Sequence, residues 1–384
     1  MEILNLKETA QRITLAIENK ERIILFADAD LDGVCSLVIL QEAIQGLGGR
    51  VETVYFPNRE EEGYGLNFKA LDSLKQKSPA LLVALDCGIG NFEEIKKAKA
   101  LGFQVIVIDH HQVLERVPED AFLVVDPKQE GDQYPFKKLA NTGIVYHLAH
   151  LVLGASWSKM LEQNFVELTA IATLADMMEE KEDNKIIMEK GLGSLLKTQR
   201  PGLKALVDIL GRGESSARQV AQKIVSVLNI TDIKNHLTES YLLFTLSVDG
   251  EARVLAEKLY QQSQQRYLEI NDMVAEVEQM IQDEPQDYER FIFVGKEEWP
   301  QVLTGAVASR ICNKHQKPTF VFKAGQVKTR GSVRTPKGVD CVEALKQCHD
   351  YLEMYGGHAQ AAGFSLKGQD VMNFKGCLIQ FFNQ

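Results

Sequence analysis

The stretch Ile23-Ile-Leu-Phe-Ala-Asp28-Ala-Asp30-Leu-Asp32-Gly33 joins a short apolar run to three alternating carboxylates. β-Branched and aromatic side chains in a run of this length predict a buried strand. The residues from Ser36 to Leu47 then repeat apolar side chains with a helical period, so a helix follows the acidic turn. A strand that ends in acidic residues and leads into a helix is typical of an α/β sheet.

The same order of elements recurs through the first half of the chain. Further apolar runs predict strands at Val51–Phe56, Leu81–Leu85, Val105–Ile108 and Phe122–Val125, and helical periods predict helices at Leu66–Lys75 and Phe92–Ala100. Alternation at this spacing implies right-handed crossovers and a mostly parallel sheet that is buried on both faces. Ligands of such sheets bind at the carboxyl ends of the strands.

A change of pattern predicts three parts in the chain. From about Phe165 to Glu289 the sequence is mainly helical, with an apolar stripe typical of a long connecting helix (Tyr267, Ile270, Val274, Val277 and Ile281). Strand-like runs return at Phe291–Val294 and Thr319–Phe322. We therefore expect an α/β fold in which a mostly parallel sheet domain (1–190) is joined by a helical connector (191–285) to a smaller α/β domain (286–384).

The composition is that of an ordinary globular protein, with 384 residues, 45% hydrophobic and 25% charged. No apolar run approaches the roughly 20 residues needed to cross a bilayer, and the N-terminus lacks a basic region followed by an apolar stretch. We therefore expect a soluble, cytoplasmic protein without membrane association. The 6 cysteines are scattered without a C-x-x-C pair, so neither a disulfide framework nor a thiolate zinc site is expected.

Polar clusters follow three of the predicted strands. Asp28–Asp32 follows the first, Asp86-Cys-Gly88 the third and Asp109-His110-His111 the fourth. Each has a simpler explanation, since Asp often caps a following helix and His often bonds to nearby backbone. The first cluster also resembles an EF-hand loop, but Ile39 stands where that loop needs glutamate. Because parallel strands end at one edge, the clusters would meet in one crevice, where their carboxylates would repel one another unless cations neutralised them.

This combination of ligands predicts a metal centre. Carboxylate and imidazole groups together suit Mn²⁺ or Mg²⁺, with Mn²⁺ favoured by the histidine. Two such cations, bridged by one carboxylate and a water molecule, would activate hydroxide and neutralise a phosphoryl group, which predicts phosphoester hydrolysis. Asp176 is a fourth candidate, because a lone carboxylate that closes an apolar helix is costly to bury unpaired. The alternative for Asp176 is an exposed helix-end aspartate.

The charge distribution predicts where nucleic acid would bind. A formal charge of -10 argues against a general basic coat, although it leaves room for a local basic groove. Residues 310–346 hold nine Lys or Arg against two acids. This excess predicts a face that binds a nucleic-acid backbone, with a merely solvated charged face as the alternative.

The order of these motifs resembles the DHH phosphoesterases and, within that superfamily, the single-strand-specific exonucleases. The resemblance covers nearly the whole chain. Beyond the acidic motifs it includes Pro57–Leu66, Asp126–Lys128, Leu139–Gly143, Arg200–Leu203, Trp299–Arg310, Gly331–Arg334 and Gly356–Gly363. The last three stretches resemble parts of a DHH-associated domain, which the family uses to bind substrate.

The resemblance implies a two-metal centre. Asp30 and Asp32 would bind separate metals, and Asp86 would bridge them. His110 and Asp176 would be ligands of the second metal. The cations implied are Mn²⁺ in the first place and Mg²⁺ as the second choice.

Further roles follow from the same resemblance. Asp28 would be a ligand or would support one, His111 would contact the scissile phosphate or steady a ligand, and Asp109 would orient the histidine pair. Arg59 would anchor a substrate phosphate, because a guanidinium holds two phosphate oxygens at once. A solvated arginine is the alternative for Arg59. The implied substrate contacts of the second domain are Arg310, Ser332, Arg334, Gly356, Gly357 and His358.

The activity implied is that of an exonuclease on single-stranded DNA, which would proceed 5′ to 3′ and release mononucleotides in repair or recombination. Single-strand-binding, replication or repair proteins would be its partners. One alternative is a short-oligonucleotide (nanoRNA) hydrolase or phosphoadenosine phosphate phosphatase of the same superfamily. Phe26 and Asp28 differ from the usual first motif of those enzymes, and Glu62–Gly65 favours the exonuclease. An inactive scaffold is a third class, but it would need lost ligands, and every ligand position is filled.

Two departures from the family pattern bear on substrate binding. The exonucleases usually carry a further nucleic-acid-binding OB barrel, and we expect its absence before Gln384 to weaken the grip on long strands. Asp126-Pro127 and Asn184-Lys185 stand where the family has Asn-Pro and Asn-Arg. These changes leave the metal set intact and bear on substrate preference.

Overall fold

The computed structural model describes residues 2–59, 61–113, 116–211, 215–229, 233–283 and 289–383, without the side chain of His358. The chain divides into two compact units, Met1–Ser263 and Gln264–Gln384. The predicted boundaries at residues 190 and 285 stay predictions. Across the described part of the chain, no helix combines the length and the apolar character that crossing a membrane requires.

The first unit is built on five parallel strands, and the predicted α/β fold is confirmed. The strands are β1 (Ile23–Ala27), β2 (Val51–Tyr55), β3 (Ala80–Leu85), β4 (Phe103–Ile108) and β5 (Leu123–Val125). They lie in the order β2-β1-β3-β4-β5. The helices before and between them are α1 (Leu6–Glu18), α2 (Leu31–Gly46), α3 (Phe68–Leu74) and α4 (Phe92–Ala100).

Alternate side chains of each strand enter two separate cores. In β1, Leu25 packs into the core that includes residues of α1 and α2, whereas Ile24 and Phe26 pack into the core that includes residues of α3 and α4. A sheet with helices on both faces needs apolar residues at both alternating sets of positions. This is why the strands read as continuous apolar runs, and why each run ends sharply where polar residues begin.

Helices dominate the rest of the first unit. They are α5 (Asn141–Leu153), α6 (Lys159–Ala175), α7 (Glu182–Leu195), α8 (Pro201–Leu210), α9 (Ala217–Leu228) and α10 (Glu239–Thr245). A short hairpin of β6 (Ile233–Lys234) and β7 (Leu237–Thr238) precedes α10. The 35-residue helix α11 (Asp249–Asp283) begins in the first unit and ends in the second. Of its predicted apolar stripe, Ile270, Val274, Val277 and Ile281 pack into a core of the second unit, whereas Tyr267 is exposed. Arg200, at the start of α8, makes a bidentate ion pair with Glu42 of α2 at 2.6 and 2.9 Å.

The second unit contains a mixed sheet. Its strands are β8 (Ile292–Lys296), β9 (Thr319–Lys323), β10 (Lys328–Arg334), β11 (Met354–His358) and β12 (Ala361–Lys367), in the order β11-β12-β10-β9-β8. Among the described strands of this second sheet, β8 and β9 are the one pair that runs parallel. The helices are α12 (Thr304–His315), α13 (Cys341–Gln347) and α14 (Val371–Phe382). The smaller α/β fold predicted for this region is confirmed.

The expectation that the cysteines form no disulfide is wrong for one pair. Cys348 and Cys377 are bonded across a sequence separation of 29 residues. Cys348 follows α13 and Cys377 lies in α14, and these two helices pack together. Such a pairing depends on how helices meet in three dimensions, so spacing along the sequence gave no sign of it. The other four cysteines are buried and lie outside this disulfide.

Candidate metal centre

Four aspartates stand at the same level along the carboxyl edge of the parallel sheet. The register pairs Ala27 with Leu85, Leu85 with Ile108, and Ile108 with Val125. The next residue after each strand is an aspartate, namely Asp28, Asp86, Asp109 and Asp126. The sheet register therefore brings the three acidic clusters of the sequence to one edge.

The first turn of α2 folds closely against the end of β1. The Asp30 carboxylate caps this helix by accepting hydrogen bonds from the N–H groups of Asp32 and Gly33, both at 3.1 Å. A Cβ atom on Gly33 would lie 2.2 Å from the backbone oxygen of Asp28. The Asp-x-Asp-x-Asp-Gly stretch is therefore a helix cap and a close turn as well as a set of carboxylates.

Asp32 is buried and is held by the amino end of α5. The N–H groups of Asn141 and Thr142 donate to its carboxylate at 2.7 and 2.8 Å, and the Thr142 hydroxyl donates to it as well. The positive end of the helix dipole favours a carboxylate at this place. Burial raises the pKa of Asp32, and neighbouring His110 and the Thr142 hydrogen bond oppose that rise.

Asp86 leaves β3 in the left-handed conformation, with φ 58°. Asp tolerates this conformation better than most residues do. Its side chain is buried, and its Oδ1 atom has no hydrogen-bond partner among the described residues. Burial, followed by repulsion from Asp30 and Asp32, raises the pKa of Asp86 well above its usual range. A buried carboxylate with an unpaired oxygen is costly, and a divalent cation would satisfy it.

His110 presents one ring nitrogen to this group of carboxylates. Its Nδ1 atom lies 3.0 Å from the backbone oxygen of Leu139, to which it donates in the neutral ring. The Nε2 atom then faces Asp86 at 3.2 Å, Asp176 at 3.6 Å and Asp32 at 3.8 Å. A histidine whose second nitrogen is fixed by a carbonyl is the usual arrangement of a metal ligand.

Asp176 ends α6 and turns toward the same group. The side chain is 35% exposed, but its Oδ2 atom is buried and lacks a hydrogen-bond partner within the described ranges. Burial, and then repulsion by Asp32, raises the pKa of Asp176 to about 6. The structure thus places Asp176 beside His110 and not at a fully exposed helix end.

The potential ligand atoms form three overlapping sets, each spanning no more than 4.8 Å: Asp28, Asp30 and Asp86; Asp32, His110 and Asp176; and Asp86, His110 and His111. Asp86 is shared by the first and third sets, and His110 by the second and third. Carboxylate oxygens with imidazole nitrogen fit Mn²⁺ or Mg²⁺. Together with the unpaired oxygens of Asp86 and Asp176, the sets fit two neighbouring cations with Asp86 between them.

Asp109, which belongs to none of these sets, pairs with His111 of the third set. The Asp109 carboxylate accepts hydrogen bonds from the His111 ring at 2.7 Å and from the N–H groups of His110 and Ile89 at 2.8 and 3.0 Å. Burial raises the pKa of Asp109, but the hydrogen bonds from His111 and the backbone outweigh burial and leave it below its ordinary value. An ionised Asp109 fixes the orientation of the His111 ring through this hydrogen bond.

Arg59 contacts carboxylates of the first set. Its Nε atom lies 2.8 Å from Asp28 Oδ1, one Nη atom also pairs with Asp28, and the same Nη atom lies 3.0 Å from Asp30 Oδ2. The guanidinium therefore neutralises Asp28 and Asp30. The expected role of Arg59 as a phosphate anchor stays a prediction.

Sequence reasoning missed two side chains at this site. The Tyr64 hydroxyl donates to the backbone oxygen of Asp86 at 3.0 Å and lies 3.3 Å from the His111 ring nitrogens. The Lys128 ammonium contacts the backbone oxygen of His110. Both residues lie in stretches that carry the family resemblance. The sequence therefore marked these stretches, but it did not indicate that Tyr64 and Lys128 contact the metal centre.

Two of the predicted substrate residues of the second unit, Ser332 and Arg334, lie in β10 beside α12. Ser332 and Arg334 of β10 face the start of α12, where a Cβ atom on Gly305 would be 3.4 Å from Ser332 Oγ and 3.2 Å from Arg334 Nη2. The Thr304 hydroxyl lies 3.0 Å from Ser332 Oγ. The start of a helix beside a guanidinium and a hydroxyl suits a phosphate.

The other residues predicted to contact substrate in this unit lie in different surroundings. Arg310 is engaged, since its guanidinium bonds to Asn271 and lies 4.9 Å from the ring centre of Tyr267. Gly356 and Gly357 lie in β11, where Gly357 has φ 146°. The side chain of His358 lies outside the described part of the chain.

The basic segment 310–346 is partly neutralised. Lys314 pairs with Glu278 at 2.9 Å and Lys328 with Glu353 at 3.1 Å. The excess of positive charge available to a ligand is therefore smaller than the sequence count suggests.

Comparison with known proteins defines the class of this chain. Residues 22–173 match the model of the DHH family N-terminal domain, and residues 288–384 match the DHHA1 domain. The chain therefore contains a DHH family domain followed by a DHHA1 domain, and the first of these is the one that the motifs at the strand ends indicated.

Within that family the chain is similar to the single-stranded-DNA-specific exonuclease RecJ. It is 34% identical to RecJ of Bacillus subtilis over 97% of this chain and 47% of the relative, and 30% identical to RecJ of Salmonella typhimurium over 94% and 66%. The chain thus spans about half of the first relative and about two thirds of the second. A crystal structure of exonuclease RecJ bound to manganese superposes with a TM-score of 0.84 at 26% identity, covering 100% of this chain and 96% of that one.

Proposed function

We propose that this chain is a metal-dependent phosphodiesterase that removes nucleotides from an end of single-stranded DNA. The observation that carries the proposal is the buried Asp86 carboxylate, whose Oδ1 atom has no hydrogen-bond partner in the described chain and lies 3.2 Å from His110 Nε2. The similarity to RecJ supports the substrate class.

Two divalent cations, with Mn²⁺ favoured over Mg²⁺, would be held by the carboxylates and His110. Asp30 would serve one cation and Asp32, His110 and Asp176 the other, with Asp86 shared. Asp28 would be a ligand of the first or would support it. Bound there, the cations would supply a nucleophilic hydroxide and neutralise phosphate charge.

The chain's own residues would position the phosphate and hold a proton beside it. Asp109 keeps the His111 ring oriented, so His111 can donate a hydrogen bond to a phosphate oxygen. Arg59, which contacts Asp28 and Asp30, would hold the same phosphate with its guanidinium. Ser332, Arg334 and the start of α12 would bind the nucleic-acid backbone, together with Arg310, Gly356, Gly357 and His358.

Several finer points rest on the family likeness and belong to this proposal. They are the 5′ to 3′ direction, the release of mononucleotides, a role in DNA repair or recombination, partners among single-strand-binding, replication or repair proteins, and a cytoplasmic location. The similarity to RecJ over nearly the whole chain does not favour the short-oligonucleotide hydrolase or phosphoadenosine phosphate phosphatase. The filled ligand positions argue against an inactive scaffold.

The test is hydrolysis of 5′-labelled single-stranded DNA by the purified chain with Mn²⁺, beside single-stranded RNA, duplex DNA, a dinucleotide and phosphoadenosine phosphate. We expect mononucleotides from single-stranded DNA and none from Asp86→Asn, which keeps the left-handed backbone but removes the charge. Asp208→Asn alters an exposed carboxylate of α8 and should stay active. Activity only on the dinucleotide or phosphoadenosine phosphate, or no activity at all, would overturn the proposal.

A further inference from the structure

The turn between β6 and β7 carries a histidine where glycine would fit with less strain. Asn235 and His236 form a two-residue turn, with φ of 53° and 58°. Such turns favour Asn followed by Gly, because both positions need a positive φ. Asn tolerates the first position, and a histidine at the second is less favourable than glycine. The contacts of the His236 ring should therefore explain why histidine occupies this position.

That ring packs on the end of β2. His236 stacks on Tyr55 with ring centres 4.0 Å apart and planes 17° apart. Tyr55 also stacks on Phe26 at 5.5 Å. The backbone oxygen of His236 accepts a hydrogen bond from the N–H of Phe56 at 3.0 Å. Ring and backbone thus both fix the hairpin to the point where the chain leaves β2.

Tyr55 in turn holds the segment that follows β2. Its hydroxyl donates to Glu62 Oε1 at 2.7 Å, and Glu62 Oε2 accepts from the N–H of Asn58 at 2.8 Å. Burial, followed by the Glu62 carboxylate, raises the pKa of Tyr55, so the hydroxyl keeps the proton that it donates. Glu62 therefore closes a loop whose members include Arg59, with Tyr64 two residues beyond.

We propose that His236 is a positioning residue for the substrate-binding segment at the metal centre. Through Tyr55 and Glu62 it fixes the segment that carries Arg59 and Tyr64, although His236 itself contacts neither the carboxylates of the metal sets nor their histidines in any described contact. The ring of His236 performs this role by stacking on Tyr55, and its Nδ1 atom also lies 3.9 Å from Glu62 Oε2. This explains why a side chain is kept in a turn that favours glycine. The expected effect of His236 on substrate binding rests on the proposed function. Its expected effect on the order of the segment rests on the contacts alone.

The test compares three variants of the same turn. His236→Gly removes the ring and relieves the backbone, and His236→Phe keeps an aromatic ring. Asn235→Gly is the matched control, because it relieves the neighbouring residue of the turn and leaves the stack intact. Each variant is measured for thermal stability, for KM and kcat on single-stranded DNA, and for hydrogen exchange of the Asn58, Glu61 and Glu62 amides.

We expect His236→Gly to raise KM about three- to tenfold, the equivalent of one aromatic contact, with a smaller change in kcat. Exchange of the three amides should become faster. Asn235→Gly should match the wild type in KM and exchange, and His236→Phe should restore both despite lower stability. The inference is overturned if His236→Gly behaves like Asn235→Gly, or if His236→Phe is no better than His236→Gly. A wild-type chain without nuclease activity would instead refute the proposed function, and the exchange rates would still decide the role of His236.

Discussion

Replacement of Asp176 by Asn should stabilise the metal-free protein and weaken its response to metal. Asp176 has a pKa raised from 3.8 to about 6 by burial and by Asp32. A shift of this size corresponds to about 3 kcal/mol at neutral pH. Because the side chain is 35% exposed, solvent screening reduces this to about 1.5 kcal/mol. For a unit of this size we expect a melting temperature about 3–5 °C above that of the wild type.

The pH dependence gives the sign of this effect. The folded-state pKa is raised, so the folded protein binds a proton at Asp176 that the unfolded chain has already lost between pH 3.8 and about 6. The wild type therefore loses stability relative to Asp176→Asn as pH rises through this window. Below pH 4 the two proteins should differ little, and above pH 6 the full difference should be present.

Metal should reverse the order of the two proteins. A ligand that binds only the folded state at 100 times its Kd stabilises it by about 2.7 kcal/mol. The wild type should gain this at pH 7 on addition of Mn²⁺, whereas Asp176→Asn lacks one anionic ligand and should gain less at the same concentration.

The assay is thermal unfolding at pH 4, 5, 6 and 7, with a chelator and then with Mn²⁺. Asp208→Asn serves as the control for loss of an exposed carboxylate and should follow the wild type. Equal stability of Asp176→Asn and the wild type at pH 7 without metal would refute the reasoning on burial. An equal response of the two to Mn²⁺ would refute Asp176 as a ligand.

Three further changes test packing and cross-links in the two units. Gly33→Ala should cost more than about 3 kcal/mol in unfolding free energy, because its Cβ would lie 2.2 Å from a backbone oxygen. Glu42→Gln should cost about 2 kcal/mol by denaturant unfolding, because it leaves buried Arg200 without its anionic partner. Cys348→Ser should lower the stability of the oxidised protein by about 3–4 kcal/mol, the value for a loop of 29 residues, and should abolish any effect of reductant on melting.

The first two of these changes have matched controls. Gly90→Ala places a Cβ atom with nothing within 4 Å and should be neutral. Glu8→Gln removes an exposed carboxylate from α1 and should change stability little. A wild type whose melting is unaffected by reductant would contradict the disulfide prediction.

The strands of the parallel sheet could be predicted from the sequence because the burial of each strand shows in its own residues. Runs such as Leu81–Leu85 are apolar at every position, as burial on both faces requires. The grouping of Asp86 with His110 also followed, because the ends of neighbouring parallel strands lie at one edge. What remained out of reach was β10 to β12, where Lys328–Arg334 and the glycines of β11 give no apolar run.

Contacts made between distant segments could not be predicted. Arg59 was expected to face a phosphate, but its nearest charges are Asp28 and Asp30, which only the folded sheet edge brings to it. The bond between Cys348 and Cys377 and the stack of His236 on Tyr55 likewise depend on the packing of elements far apart in the chain. Contacts of this kind produce no repeating pattern of residues from which they could be predicted.

The left-handed backbone at position 86 restricts what evolution or an engineer can place there. Glycine suits the geometry without offering an oxygen, asparagine suits it without the negative charge, and glutamate keeps the charge at a steric cost. Aspartate alone meets both demands. Position 86 is thus constrained by both its backbone conformation and its charge. Substitutions meant to change the ion preference of the centre should be better tolerated at Asp176, where the backbone is not left-handed.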